Sequence, residues 1–208
     1  MKKLNIVVVT LILFILGLNQ TLGQKTETLI NPDSDIKFVW GTEFKTGSIK
    51  EHLGTAHGFF GGALINHSTL LGLSFGINLT HPKLNHGYIG LLVQHTHLPN
   101  NLVHFSGQCL LAVASAKGYN QEKTNLFDNL GNITGSSFYI IEPGLNVELN
   151  ITGYTRLIFG ISYRYTTGLE DLSFEQWDKT HEHSSQYSYN NNDLSGLQFN
   201  IGLKFGEF

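Results

Sequence analysis

The chain has 208 residues, a length that suits a single domain. Its 16 acidic residues outnumber its 13 Lys and Arg, which argues against a nucleic-acid partner because such a partner favours a basic face. Cys109 is the single cysteine of the sequence, so the chain cannot form an internal disulfide. Many glycines (23) and aromatic residues (12%) beside few charged residues (14%) predict an all-β chain.

The N-terminus has the order of features of a secretory signal peptide. Two lysines are followed by an apolar run from Ile6 to Leu18, and then by small or polar residues before Gln24. The apolar run is shorter than the roughly 20 residues that a membrane-spanning helix needs. We therefore predict a cleaved signal peptide over residues 1–23 and one domain over residues 24–208. The alternative is an uncleaved N-terminal anchor.

Alternation of apolar and polar residues with period two predicts eight strands. The first covers residues 36–45, where Phe38, Trp40 and Phe44 alternate with charged residues. The others are predicted at about 57–66, 68–80, 87–98, 102–117, 138–151, 156–166 and 197–205.

The two strands between Phe138 and Thr167 are the most regular. Every odd position from Tyr139 to Ile151 is apolar, and the alternation resumes after a turn at Gly153. Such a hairpin has strands of more than ten residues, whereas strands in soluble proteins average about 5–6. Strands that cross a bilayer need about 9–11 residues. The length therefore favours a membrane protein.

The predicted connections alternate between short and long. Tight turns stand at 66–68, 99–101 and 152–154, and longer links at 46–56, 81–86, 118–136 and 168–193. Outer-membrane barrels have short periplasmic turns and longer extracellular loops. We therefore predict an all-β fold, an eight-stranded antiparallel up-and-down transmembrane β-barrel in the cell outer membrane. A soluble β-sandwich is the alternative.

Placing the apolar strand faces against lipid turns a set of charged residues inward. The lumen of an eight-stranded barrel is just wide enough for side chains to fill, and Glu142 and Arg164 are expected to be cross-strand neighbours. We interpret the set as a structural charge network, with a proton or ion path or a paired-carboxylate site as alternatives. The predicted interior polar network comprises Glu43, Glu142, Glu148, Arg156, Arg164 and Lys204.

The longest predicted loop carries a weak candidate metal site. His181 and His183 flank Glu182, and two imidazoles with a carboxylate can bind a metal ion. A solvated polar loop explains the same residues. His183 and Ser185 also resemble the His-x-Ser element of outer-membrane lipid A deacylases. The sequence predicts no cofactor.

The segment from Phe138 to Asn150, with Arg156 and the segment 160–165, resembles the outer-membrane β-barrel domain proteins of Bacteroidota. These are similar in architecture to the OmpA and OmpX barrels, and the resemblance covers about residues 24–208. In the last strand, Asn200, Gly202 and Phe205 match the insertion signal that the barrel-assembly machinery reads, and Glu207 departs from it. The resemblance implies a fold and a membrane and no activity.

We therefore expect a non-enzymatic integral outer-membrane barrel with a structural role or a surface-interaction role. The predicted loops 118–136 and 168–193 are rich in Asn, Ser and Tyr, a composition that suits recognition of an extracellular ligand. Expected partners are outer-membrane lipid and, during insertion, the assembly machinery, and a monomer is expected. The alternatives are a barrel-embedded enzyme that acts on outer-membrane lipid and a narrow passive pore.

Overall fold

The computed structural model of the chain describes residues 34–50, 52–78, 84–118, 136–169, 172–178 and 183–208. The predicted signal peptide and the metal candidate His181 lie outside the described residues. No helix in the described part of the chain is long and apolar enough to cross a bilayer.

Ten strands are present in the described ranges, and eight of them form one closed antiparallel barrel in the order β1-β10-β7-β6-β5-β4-β3-β2. The remaining two, β8 and β9, form a separate two-stranded sheet. The predicted eight-stranded barrel is thus confirmed. The strands are β1 Ile36–Ile49, β2 His52–Ile65, β3 Thr69–Asn78, β4 Leu84–His97, β5 Val103–Gly118, β6 Ser136–Thr152, β7 Thr155–Thr167, β8 Leu172–Asp178, β9 His183–Tyr189 and β10 Gly196–Gly206.

Burial alternates along the barrel strands because successive side chains point to opposite faces of a sheet. In β1 every odd residue from Val39 to Ile49 is buried in the lumen, while Phe38, Trp40 and Phe44 point outward and stay half-exposed. The outward aromatic residues of β6 and β7 are also exposed: Tyr139, Tyr163 and Tyr165. Each strand therefore separates an inner set of residues from an outer set.

The predicted long link at 46–56 is wrong. β1 continues to Ile49 and β2 begins at His52, and these two residues are paired across the hairpin. Alternating burial continues through Gly47 and Ile49, so the segment is barrel wall. Lys50, in the link, has a φ of 43°. Positive φ values are typical of two-residue hairpin turns.

The predicted loop at 168–193 contains regular structure. β8 and β9 pair with each other along seven residues, from Leu172 opposite Tyr189 to Asp178 opposite His183. The apolar residues of β8 fall on both alternating sets, with Leu172 and Phe174 on one and Trp177 on the other, so the period-two hydrophobic signal is weak. We call the end of the barrel that bears this hairpin the loop end, and the opposite end the turn end.

Two glycines allow β2 and β3 to approach closely. Gly62 and Gly72 face each other across this strand pair. A Cβ atom added to Gly62 would overlap the carbonyl oxygen of Leu71 and the Cα of Gly72. Because those atoms belong to the backbone, neither can move aside without breaking the sheet register.

We expect the substitution Gly62→Ala to destabilise the barrel by about 1–3 kcal/mol, the usual cost of overpacking. The measurement is the urea midpoint of unfolding in lipid vesicles. Gly107→Ala is the matched control, because an added Cβ there meets only a Leu145 methyl group, at 4.0 Å. Equal midpoints for the two variants would contradict the close approach of β2 and β3.

Candidate functional site

The described barrel has its polarity reversed relative to a soluble protein. Glu142 and Glu148 are 0% exposed inside the lumen, whereas Phe38 on the outer surface remains 69% exposed. The exposed outer residues form a belt that includes Leu71, Leu73, Phe75, Ile89, Leu91, Val93, Val103, Phe105, Leu111, Val113, Leu145, Val147, Phe159, Ile161, Phe199, Ile201 and Leu203. Soluble monomers rarely expose an apolar patch of more than a few hundred Å².

The charged residues of the lumen form two clusters, of which the first lies toward the loop end. The carboxylate of Glu142 is its centre and accepts hydrogen bonds from Lys45 Nζ at 2.6 Å and from Arg164 Nε at 2.8 Å. Ser162 Oγ donates a third bond at 3.0 Å. Lys45 Nζ also lies 3.0 Å from Glu43 Oε1. We call Glu43, Lys45, Glu142 and Arg164 the loop-end cluster.

Tyr88 supports the two cations of this cluster from β4. Lys45 Nζ and Arg164 Cζ each lie 5.8 Å from the centre of its ring, a distance at which a cation is attracted to an aromatic face. The ring has room because Gly76 faces it, since a Cβ atom at Gly76 would overlap the ring carbons. Arg164 Nη1 also lies 3.5 Å from His86 Nε2.

The second cluster lies toward the turn end and is centred on Glu148. Lys204 Nζ donates to both carboxylate oxygens, at 2.9 and 3.0 Å, and to Gln94 Oε1 at 2.9 Å. Ser106 Oγ donates to Glu148 Oε1 at 2.7 Å, and Gln94 Nε2 donates to the same oxygen. Arg156 Nη1 stands farther away, 3.7 Å from Glu148 Oε2. We call Glu148, Arg156 and Lys204 the turn-end cluster.

Amide side chains fill the lumen between the clusters. Asn146 Nδ2 donates to Gln108 Oε1 at 2.9 Å and to Ser106 Oγ at 3.4 Å. Asn200 Nδ2 donates to Asn146 Oδ1 at 3.3 Å. Because Ser106 also contacts Glu148, this amide layer is continuous with the turn-end cluster. Hydrogen-bonded side chains thus extend from the turn-end cluster into the lumen, where buried apolar side chains such as Leu110 and Ile158 also lie.

The structure places all six residues of the predicted interior network in these two clusters, and each is buried. The pair expected from the 138–167 hairpin, Glu142 with Arg164, is in direct contact. Sequence reasoning missed Lys45, which forms the shortest bond to Glu142. The sequence contained the information needed to find it, because Lys45 is two residues from Glu43 and therefore shares its face of the first predicted strand.

These clusters can hold the barrel together and close its lumen. Lys45 on β1 reaches Glu142 on β6, although the two strands are not neighbours in the sheet. Lys204 on β10 likewise joins Glu148 on β6 and Gln94 on β4. These bonds therefore cross the lumen between separate parts of the wall. The clusters contain three carboxylates and four cations, so each carboxylate is compensated.

The candidate His183 lies outside the barrel wall. His183 and Ser185 belong to β9, where the sequence predicted a loop, and β9 pairs only with β8. The resemblance to a lipid-facing deacylase element required a strand of the wall, and β9 is not one. Within the described residues no group of three or more His, Cys, Asp or Glu side chains could hold a metal ion.

Comparison with known proteins identifies the fold. The chain has the fold of eight-stranded outer-membrane β-barrels. It is similar to the structure of Neisserial surface protein A (NspA), with a TM-score of 0.56 and 10% identity, covering 84% of this chain and 99% of that one. It is also similar to the N-terminal β-barrel domain of Pseudomonas aeruginosa OprF, with a TM-score of 0.53 and 12% identity, covering 81% and 96%. No protein-family model matches the chain, and neither does any curated protein.

We expect Glu142→Gln to destabilise the folded barrel by about 3–5 kcal/mol, because it leaves Arg164 and Lys45 buried without their central counter-charge. The measurement is again the urea midpoint in lipid vesicles. Glu207→Gln is the control, because the Glu207 side chain is 63% exposed and lies 3.8 Å from Lys37, and surface pairs contribute little.

The geometry of the loop-end cluster also predicts which of its carboxylates contributes more to stability. Glu43→Gln should cost less than Glu142→Gln, because Lys45 keeps its bond to Glu142 when the Glu43 charge is removed. Equal losses for Glu43→Gln, Glu142→Gln and Glu207→Gln would show that the buried carboxylates do not stabilise the barrel.

Proposed function

We propose that the chain is an integral outer-membrane β-barrel protein whose lumen is closed by side chains. The observation that carries this proposal is the reversed polarity of the barrel, with charged residues buried inside and an apolar belt outside. Water would make such a surface unfavourable, whereas lipid hydrocarbon matches it. The fold shared with NspA and the OprF barrel domain supports an outer-membrane location.

The role that fits this architecture is structural or surface interaction. Ion pairs and hydrogen bonds between amide side chains cross the lumen, which supports a barrel that does not pass solutes. Recognition would then depend on the loop end, where the β8–β9 hairpin connects β7 to β10. Loops on a rigid scaffold are common recognition elements. The ligand would contact the loop end from outside the cell.

Two further proposals come from the sequence. Membership among the Bacteroidota-type barrel proteins depends on the segment Phe138 to Asn150 and stays a prediction. An interaction with the barrel-assembly machinery during insertion depends on Asn200, Gly202 and Phe205 of β10. Outer-membrane lipid is the expected partner of the apolar belt, and a monomer is the expected state.

The location is tested by membrane fractionation of the expressed full-length chain, with a gel of boiled and unboiled samples. We expect the protein in the outer-membrane fraction, with unboiled protein migrating differently because the closed sheet resists detergent. A soluble product without a mobility shift would contradict the proposal and favour a soluble β fold.

Closure of the lumen is tested separately by liposome swelling with a small sugar. We expect liposomes that contain the folded protein to swell no faster than empty liposomes, because charged, amide and apolar side chains together occupy the lumen. The gel shift of the same sample shows that the barrel is folded. Swelling clearly above that of empty liposomes would favour the narrow-pore alternative.

A further inference from the structure

The outer surface of β1 and β2 carries a polar pair inside the apolar belt. Thr42 and His57 both point outward, and Thr42 Oγ1 lies 2.6 Å from Nε2 of His57. Their neighbours on this surface are aromatic: the His57 ring stacks on Phe44 at 4.4 Å with an angle of 1°, and lies 4.4 Å from Phe59. An ionisable side chain at membrane depth is expensive and by default suggests a functional site.

Proton counting assigns the tautomer of His57. The Thr42 hydroxyl has one proton and lies 3.1 Å from the carbonyl oxygen of Gly58, which can only accept. The hydroxyl therefore donates to Gly58 and accepts from Nε2–H of His57. The Nδ1 atom of His57 then carries a lone pair, and no described residue donates to it. Nδ1 of His57 is thus an open hydrogen-bond acceptor within the belt.

A groove lies beside this pair on the same outer surface. Its volume is about 390 Å³, and its lining residues are Phe44, Lys45, Thr46, Thr55, Phe199, Asn200 and Ile201. Because the side chains of Lys45 and Asn200 are buried in the lumen, their backbone forms the floor. The stack on His57 holds the Phe44 ring toward β2, which leaves the surface between β1 and β10 open.

The groove is continuous with the lipid-facing belt, since Phe44, Phe199 and Ile201 are each about half exposed. His57 lies five residues from the loop-end terminus of β2 at His52, which is roughly 12 Å along the membrane normal for a tilted strand. A hydrocarbon chain can fill the groove while the polar part of the same molecule reaches His57.

We propose that this surface, which we call the β1 lipid site, binds one bilayer lipid whose polar group carries a hydrogen-bond donor. The acyl chain lies in the groove against Phe44, Phe199 and Ile201, and the donor bonds Nδ1 of His57. Thr42 holds the imidazole in the orientation and tautomer that leave Nδ1 open. The inference rests on the proposed membrane location.

The test is native mass spectrometry of the folded full chain, released from micelles that contain phosphatidylethanolamine and phosphatidylcholine in equal amounts with identical acyl chains. The first head group has N–H donors and the second has none. We expect roughly fivefold preferential retention of phosphatidylethanolamine, the factor that corresponds to one net hydrogen bond of about 1 kcal/mol.

Three variants locate the site. Thr46→Phe fills the groove and should abolish retention of both lipids. His57→Phe keeps the aromatic stack without the acceptor, so it should retain lipid with no preference between the two. Ser115→Phe is the matched control, because Ser115 is also a small polar outward residue near the loop end of its strand. It should behave as the unchanged protein.

Each outcome decides the proposal. Equal retention by the unchanged protein, Thr46→Phe and Ser115→Phe would overturn the groove, and an unchanged preference in His57→Phe would overturn the head-group contact. A dimer that disappears in Thr46→Phe would assign the groove to a second copy of the chain. Each sample must show the heat-dependent gel shift, so loss of lipid from a folded barrel overturns the lipid site alone and leaves the membrane location standing.

Discussion

The pairing of β1 with β10 is the contact on which the rest of the barrel depends. It joins nine residue pairs, from Val39 opposite Gly206 to Gly47 opposite Gln198, and it removes the two edges that an open sheet would expose. Each unsatisfied backbone group in hydrocarbon costs several kcal/mol, so a spanning sheet must close. Closure also sets the width of the lumen, and this width brings Lys45 within reach of Glu142 on the far wall.

The contents of the lumen follow from that width. Long charged side chains and Tyr88 occupy one part of the space, and glycines on β2 and β3 make room for them. A buried carboxylate is costly unless cations and hydrogen bonds surround it, and Glu142 and Glu148 each have both. The many cross-wall bonds require one arrangement of the strands, because a shifted strand would separate the charges from their partners. The charge network therefore specifies register as well as contributing stability.

One strand carries both features that distinguish this barrel. Along β1, Glu43 and Lys45 point into the lumen, while Thr42, Phe44 and Thr46 point outward. The inner residues join the loop-end cluster, and the outer residues form the polar pair with His57 and part of the groove. A change in the register of β1 would exchange the two sets, since side chains alternate with period two. The inner network thus also positions the proposed lipid site.

The sequence by itself determined the fold class, the number of barrel strands and the buried charges of the most regular strands. These follow from period-two alternation, which is a local property that each strand displays along its own length. The contact between Glu142 and Arg164 could also be predicted from the sequence, because the two residues belong to one hairpin with a short turn. The strands β8 and β9 could not be predicted, since the apolar residues of β8 fall on both of its alternating sets and obscure the period-two pattern.

Only the tertiary structure decided which charges meet across the lumen and what lies on the outer surface. Lys45 and Glu142 are 97 residues apart, and Lys204 and Gln94 are 110 apart, so no local pattern links them. The glycines and alanines of β2 weaken its alternation, so only the closed barrel decided that His57 points outward beside Thr42. Barrel closure decided these contacts because it fixes strand order, register and lumen width together, and none of the three is a property of a single strand.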